Sequence, residues 1–346
     1  MKQVLVEMEK LKNLNSGLGQ FCINLGNQFQ KIHSEKIGID FYVPGTHKNI
    51  FGPQFNYVQH SVLNKIIPLN SSKYNIWHCI HQGSHYLPSY RKTKLLLTIH
   101  DLNFLEKYKG NKQKSKLNAL QKKLERASAI TVISNYTGTI VRQHLNTGNI
   151  PIHVIHNGNC LIPIENATKP DFIKFSSYIF FVGIVSAKKN LHTVLHLLEK
   201  NKELHFVVAG NNTSAYANQL EEAAEKIGVR KQLHVTGIVD SGTKYWLYKN
   251  CMAFVFPSLT EGFGLPVIEA MSLGKPVFLS NLTSLPEVGG KEAFYWNNFE
   301  PAYMVDVFEK GMQEFDSARA ARSIEWASQF SWERAANEYL KLYETI

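Results

Sequence analysis

Short blocks of consecutive apolar residues alternate along the chain with longer stretches in which apolar positions recur every three or four residues. The first pattern belongs to strands buried on both faces, the second to helices with one buried stripe. In the first half the strand-like blocks are 4–8, 39–43, 76–79, 95–99, 130–133 and 153–155. Helical patterns fall between them at 19–32, at 136–145, and at 114–127, where Leu117, Leu120 and Leu124 share a stripe. A second series follows, with strand blocks at 178–182, 206–209, 234–236, 253–256 and 276–279. This alternation predicts an α/β protein whose sheets are parallel and covered by helices on both faces.

Between the two series, 157–177 holds an Asn157-Gly158 turn, Pro163 and Pro170, and no sustained period, so it reads as a connection. The chain has 346 residues, more than one core usually serves, and two domains are predicted at 1–160 and 175–330. An amphipathic helix at 332–343 follows another helix with no strand between them, which predicts that 331–346 packs back on the first domain. Hydrophobic residues make up 44% and charged residues 19%, and no tract is of low complexity, so both domains can bury a core.

Several function classes drop out on composition. The longest apolar runs, such as 178–185, fall well short of the roughly 20 residues that cross a bilayer. The first ten residues lack the apolar block of a secretory signal, which predicts a cytoplasmic protein. Cys22, Cys79, Cys160 and Cys251 lie far apart and read as free thiols. A formal charge of +10 calls for an anionic partner without choosing it. The basic residues lack the interleaved aromatics of a nucleic-acid reader, so no nucleic acid is expected.

The densest chemistry lies at 257–276. Strand, glycine-rich turn and helix follow one another, with Pro266 suited to a first helical turn and Gly274 with Pro276 to a stop, so a helix is predicted at about 265–273. Unpaired amides of Gly264 and Leu265 at its start, aided by the helix dipole, suit an anion. Gly262 and Gly264 permit close approach of a phosphate or sugar. Glu261 precedes the turn and Glu269 lies one helical turn in, so two carboxylates can reach one ligand bearing vicinal hydroxyls. The plainer alternative is a solvated helix glutamate beside a turn that needs its glycines only for shape.

Glu261 and Glu269, with Gly262-Phe263-Gly264-Leu265-Pro266 between them, resemble the paired-glutamate motif of the family 4 retaining glycosyltransferases. The likeness extends through Phe256-Pro257-Ser258, Glu269-Ala270-Met271, Gly274, Pro276-Val277 and Leu285-Pro286-Glu287-Val288, and in weaker form over nearly the whole chain. It implies the GT-B architecture: two Rossmann-like parallel-sheet domains facing across a cleft, with a nucleotide sugar held by the carboxy-terminal one. It implies that Glu261 contacts the transferred sugar, that Glu269 holds the ribose hydroxyls, and that Phe263, Gly264 and Leu265 border the phosphate. Val182-Gly183 followed by Lys188-Lys189-Asn190-Leu191 is similar to the strand, loop and helix start that grip the donor diphosphate. Lys189 thereby takes the gripping role, with Gly183, Lys188 and Gly237 on the donor side. Two departures stand out: Lys188 where arginine is common, and Ile184 where some members place arginine. Without the resemblance, two exposed lysines at a helix start would be the simpler account.

In the first domain, Ser16-Gly17-Leu18-Gly19 resembles the family loop that approaches the donor phosphates, which assigns Gly17 and Gly19 to donor binding. The residues do not complete a dinucleotide fingerprint, because Cys22 takes the third glycine position and the loop at 9–15 is too long after its strand. No phosphate loop exists either, since neither Gly274-Lys275 nor Gly290-Lys291 precedes Ser or Thr. His100-Asp101 matches the family His-Asp, which implies that His100 contacts the sugar or helps to place the acceptor. A structural hydrogen bond is the alternative for His100, and helix capping for Ser134, which resembles a family cleft serine. His78, His81 and His85 have no carboxylate partner and no zinc spacing, so they read as acceptor lining, with His81, Asp101 and Ser134 as the acceptor-side candidates.

No Asp-x-Asp triplet occurs, so no metal and no other cofactor is expected, and Lys189 with the helix amides would offset the leaving diphosphate. The resemblance implies retention through same-face attack, with no enzymic nucleophile, on a saccharide or lipid-linked acceptor. Mannose from GDP-mannose is preferred slightly over glucose or N-acetylglucosamine from UDP. On the basic helix, Lys116, Lys122, Lys123 and Arg126 avoid the apolar stripe. A solvated face is the simple account of them, and an anionic membrane surface with peripheral attachment is the alternative. Outside transfer, an epimerase on the same fold or an inactive sugar-binding scaffold would carry similar residues.

Overall fold

The computed structural model describes every residue except Asn15, His33 and Pro68. Asn15, the last residue of the 9–15 loop, therefore lies outside the described residues. The chain divides into two compact units, Met1–Gly158 together with Ser331–Ile346, and Asn159–Phe330.

In the first unit the described strands are β1 (Lys2–Glu7), β2 (Ile37–Val43), β3 (Asn56–Gln59), β4 (Ile76–Cys79), β5 (Lys94–Ile99), β6 (Ala127–Val132) and β7 (Ile152–Val154). They form one parallel sheet in the order β3-β2-β1-β4-β5-β6-β7. Val4, Leu5, Val6, Ile76, Trp77, Leu96 and Leu97 are fully buried, as expected of central strands covered on both faces. Around the sheet run α1 (Gly17–Lys31), α2 (Phe104–Lys107), α3 (Gly110–Leu124) and α4 (Asn135–His144). Helix α1 starts two residues before the predicted point because Ser16 caps it, its Oγ accepting from the Gly19 amide at 3.0 Å. Strand β3 was not legible from the pattern: Asn-Tyr-Val-Gln at a sheet edge is polar at both ends and nowhere fully buried.

The C-terminal helix (Trp332–Thr345) belongs to this unit and packs along α1. Ser331 caps it, Trp332, Ala336, Tyr339 and Tyr343 are buried, and Lys2 Nζ donates to the Glu344 and Ile346 carbonyls at its far end, each at 2.7 Å. Beneath it lies a closed polar network. His78 Nδ1 meets the Tyr343 hydroxyl and His78 Nε2 the Thr98 hydroxyl, both at 2.7 Å, and Thr98 meets Thr131 at 2.6 Å. These polar residues interrupt otherwise apolar strands because each finds its partner in the core. The acceptor-lining reading of His78 is therefore overturned: its ring is fully buried under the C-terminal helix.

The second unit contains β8 (Ser177–Val182), β9 (Leu204–Ala209), β10 (Leu233–Gly237), β11 (Ala253–Phe256), β12 (Val277–Ser280) and β13 (Phe294–Trp296), parallel in the order β10-β9-β8-β11-β12-β13. The helices are α5 (His196–Lys200), α6 (Ala215–Lys226), α7 (Ser241–Asn250), α8 (Leu265–Met271), α9 (Leu285–Gly289), α10 (Pro301–Glu314) and α11 (Ser317–Ser328). The predicted helix start at Lys188-Lys189 is instead a 3-10 turn, Ala187–Lys189, separated from a second one, Leu191–Leu195, by Asn190 in the left-handed region at φ 57°. Strand order reverses between β1 and β4 in the first sheet and between β8 and β11 in the second. Such a reversal opens a crevice at the carboxyl ends of the strands, where open α/β sheets bind ligands.

Burial pushes His78 down to about 3, so the ring is neutral in the fold at neutral pH. The unfolded imidazole titrates near its ordinary value of about 6.5. The stability tied to the neutral ring is complete above that value and is lost as pH falls toward 3. Between pH 6.5 and 5 the wild type is expected to lose about 2 kcal/mol more than a His78→Gln variant. Urea denaturation at the two pH values measures this, and equal losses would mean that the buried ring does not resist protonation.

Candidate functional site

In the second unit the chemistry gathers beside the β8/β11 reversal. After β8 the chain turns through Gly183 at φ 152° and after β9 through Gly210 at φ 124°, while β10 ends on Gly237 at φ 75°. Amides tie these ends together, Gly183 to the Ala209 carbonyl at 2.9 Å and Gly210 to the Gly237 carbonyl at 2.7 Å. Only glycine is at ease in these conformations. Gly210 escaped the sequence reading although Ala209-Gly210 ends a strand as Val182-Gly183 does.

Lys189 is brought by its 3-10 turn into an ion pair with Glu261 Oε1. Both are largely buried, their side chains 9% and 12% exposed, and the ammonium also lies 4.7 Å from the centre of the Phe256 ring. Burial pushes the Lys189 ammonium down, and the carboxylate of Glu261 opposes that shift. Two exposed lysines at a helix start is thus not what the fold contains. Lys188 is half-buried, and its carbonyl accepts from the Leu259 amide at 2.8 Å, joining this turn to the Glu261 loop.

The Glu261 loop is stapled by the residues after β12. The Glu261 amide donates to Thr283 Oγ1 at 3.1 Å, and Ser284 Oγ donates to the carbonyls of Glu261 at 3.1 Å and Phe263 at 2.8 Å. Gly264 begins α8 at φ 118°, where a Cβ would also press on Leu285. Leu265 is the first helical residue, and Phe263 turns its ring inward to Phe330, centroids 5.8 Å apart. Helix α8 ends at Met271, two residues before the predicted stop.

Glu269 is 5% exposed, which excludes the solvated alternative. Its Oε1 accepts from Lys244 Nζ at 3.0 Å and its Oε2 from the Tyr248 hydroxyl at 2.7 Å. Neither Lys244 nor Tyr248 was singled out from sequence, where a lysine and a tyrosine four apart on a helix carry no distinctive signal. The same holds for Thr283 and Ser284, whose partners lie more than twenty residues away along the chain.

In the first unit, β1 leads to Gly17 and Gly19, β4 to His81 and β5 to His100 and Asp101. Gly17 opens α1 with no atom within 4 Å of where a Cβ would stand, whereas a Cβ on Gly19 would collide with the Asn13 backbone. Space thus makes glycine obligatory only at Gly19. His100 is buried, donates from Nε2 to the Ile80 carbonyl at 2.7 Å, and lies edge-on to Phe21. Burial pushes it down to about 4, so the ring is neutral with Nδ1 as its acceptor nitrogen. His81 lies 6.2 Å from it between ring centres, and its Nδ1 accepts from the Gly83 amide. Asp101 Oδ1 accepts from the Asn103 amide at 2.9 Å. Ser134 is buried and caps α4, accepting from the Thr137 amide at 3.0 Å, the alternative role already considered for it.

The basic helix needs correction. Lys123 turns inward and donates to the carbonyls of Gln82 and Ser84 at 2.9 and 2.7 Å, and Arg126 donates to that of Pro88 at 2.7 Å. Both hold the 82–88 loop, Lys123 half-buried and Arg126 still exposed, because burying three carbonyls without donors would cost more than committing two cations to them. Of the four residues, Lys116, Lys122 and Arg126 are exposed and remain candidates for an outer basic face. Among the described residues no helix is long and apolar enough to cross a membrane, and no three His, Cys, Asp or Glu side chains are grouped to hold a metal ion. Cys22, Cys79 and Cys251 are free thiols, all buried.

Residues 33–159 match the family model described as Glycosyltransferase Family 4, and residues 165–312 the model described as Glycosyl transferases group 1. O-antigen chain mannosyltransferase B of Escherichia coli is 24% identical over 292 residues, 77% of this chain and 74% of that protein. The serotype-specific mannosyltransferase WbdA of Escherichia coli is 32% identical over 168 residues, 46% of this chain but only 21% of that much longer protein. Anabaena Alr3699/HepE, solved in complex with UDP and glucose, superposes with a TM-score of 0.74 over 100% of both chains at 15% identity. This last likeness is one of fold, the GT-B pair of parallel-sheet α/β domains.

Lys189 and Glu261 are buried together, so removing either strands the other. Lys189→Met or Glu261→Gln alone is expected to cost about 3 kcal/mol of unfolding free energy, and the double variant less than either. Urea denaturation of the four proteins completes the cycle. Strictly additive losses would show that the two side chains share no ion pair.

Proposed function

Since the chain belongs to the glycosyltransferases, its halves matching the family 4 and group 1 models in turn, we propose that it moves a hexose from a nucleoside diphosphate sugar to a saccharide or lipid-linked acceptor. The observation that carries this reading is the buried Lys189–Glu261 pair at the carboxyl ends of β8 and β11, with Glu269 one helical turn beyond. A cation offsets charge on a departing diphosphate, and a carboxylate beside it orients sugar hydroxyls. Glu269 has lone pairs left over from Lys244 and Tyr248 with which to accept from the ribose hydroxyls. The amides of Gly264 and Leu265 add donors to the phosphate, and Gly183 and Gly237 let backbone approach it.

His100 fits a positioning role. A neutral ring anchored through Nε2 presents Nδ1 as an acceptor for a sugar hydroxyl and has no proton to give as an acid. With no nucleophile assigned, transfer proceeds with retention by attack on the face from which the nucleotide leaves, a donor phosphate oxygen taking the acceptor proton. Lys189 serves where other enzymes use a metal. The mannosyltransferase names of the relatives favour mannose as the hexose, and GDP-mannose is the donor we propose for it. His81, Asp101 and Ser134 stand on the acceptor side, and of Lys116, Lys122, Lys123 and Arg126 all but Lys123 are left to meet an anionic membrane.

A panel of nucleotide sugars tested by thermal shift is expected to give one selective stabilisation, of roughly 3 kcal/mol at a hundredfold excess over Kd, naming base and hexose together. With that donor, release of nucleoside diphosphate should persist in EDTA and fall at least about a hundredfold in Glu261→Gln. Loss of activity in EDTA would contradict metal independence. Full activity in Glu261→Gln would remove the sugar-binding role of that residue.

A further inference from the structure

Glu269 is held in a way that goes beyond a buried carboxylate finding a partner. Lys244 and Tyr248 stand one turn apart on α7 and take one carboxylate oxygen each, at 3.0 and 2.7 Å. The helix that presents them is itself fixed at its start, where Asp240 accepts from the Thr243 amide at 2.9 Å. Tyr248 is fully buried, whereas the Lys244 side chain is 28% exposed. One grip on Glu269 therefore belongs to the core, and the other reaches solvent.

We propose that Lys244 is a positioning residue that sets the recognition of the ribose diol by Glu269. The inference rests on the donor-site reading above. A carboxylate offers about four lone-pair directions, and the two contacts from α7 take one on each oxygen, leaving one apiece for two vicinal hydroxyls. Tyr248 alone leaves the carboxylate free to swing about that single bond, with its charge unbalanced in a buried site. The ammonium balances the charge and fixes the plane, so two hydroxyls at a fixed spacing fit better than one. Lys244 thereby acts on the nucleotide through Glu269 and makes the site choose ribose over deoxyribose.

The test measures calorimetric binding of UDP and GDP, each beside its 2′-deoxy counterpart, to the wild type, Lys244→Met and Lys244→Arg. Thermal unfolding of each protein is recorded alongside. The wild type should bind one of the two ribonucleotides about tenfold more tightly than its deoxy form. Lys244→Met should lose most of that preference, chiefly by weakening the ribonucleotide, and Lys244→Arg should restore it. A preference that survives in Lys244→Met, or a loss shared equally by both nucleotides, overturns the inference while leaving the donor site intact. If the wild type binds neither nucleotide, or binds ribo and deoxy forms alike, the reading of Glu269 falls and the inference with it. That outcome is visible before any substitution is made.

Discussion

The contact on which the second unit's site depends is the ion pair between Lys189 and Glu261, two side chains only 9% and 12% exposed at the ends of parallel strands. Taking both charges out of water is costly, and their mutual attraction offsets it only when geometry is held firmly. The surrounding backbone does the holding. Thr283 and Ser284 staple the Glu261 loop, the Lys188 carbonyl binds the Leu259 amide, and the positive-φ glycines Gly183, Gly210 and Gly237 tie the strand ends together. A pair maintained in this way meets a ligand with little rearrangement, which is the economy that preorganised sites rely on.

The first unit solves a different problem. Its sheet must accept a helix from the far end of the chain, and does so with a buried network of His78, Thr98, Thr131, Tyr339 and Tyr343 in addition to apolar packing. Polar contacts of this kind fix which helix docks and in which register, since a slipped helix would leave hydroxyls and an imidazole unpaired. The same unit keeps His100 neutral by burying it beside Phe21, and this outweighs the hydrogen bond to the Ile80 carbonyl, which favours the charged ring. Neutral imidazoles thus do two jobs here, one as a core fastener and one at the strand ends where the crevice lies.

Much of this was legible from residue order because buried parallel strands have an unmistakable pattern. Blocks such as 178–182 and 253–256 coincide with β8 and β11, and the turn between Glu261 and Glu269 fell at the start of α8 as the glycine and proline spacing required. Edge strands were harder: β3 is polar at both ends, and β13 is only three residues long. Contacts between distant residues left no local trace. Lys244, Tyr248, Thr283 and Ser284 were missed for that reason, and His78 was misread because periodicity gives the face of a strand but not the polar partner waiting there. Lys123 was misread as solvent-facing because the carbonyls it satisfies come from a loop some forty residues earlier.

The most direct measurement is a crystal structure of the protein grown with the nucleotide sugar that it binds. The expected density places a diphosphate oxygen within hydrogen-bond reach of Lys189 Nζ, a hexose hydroxyl on Glu261 and the ribose on Glu269. Nucleotide bound elsewhere, with the Lys189–Glu261 pair undisturbed and no phosphate near α8, would contradict the central claim.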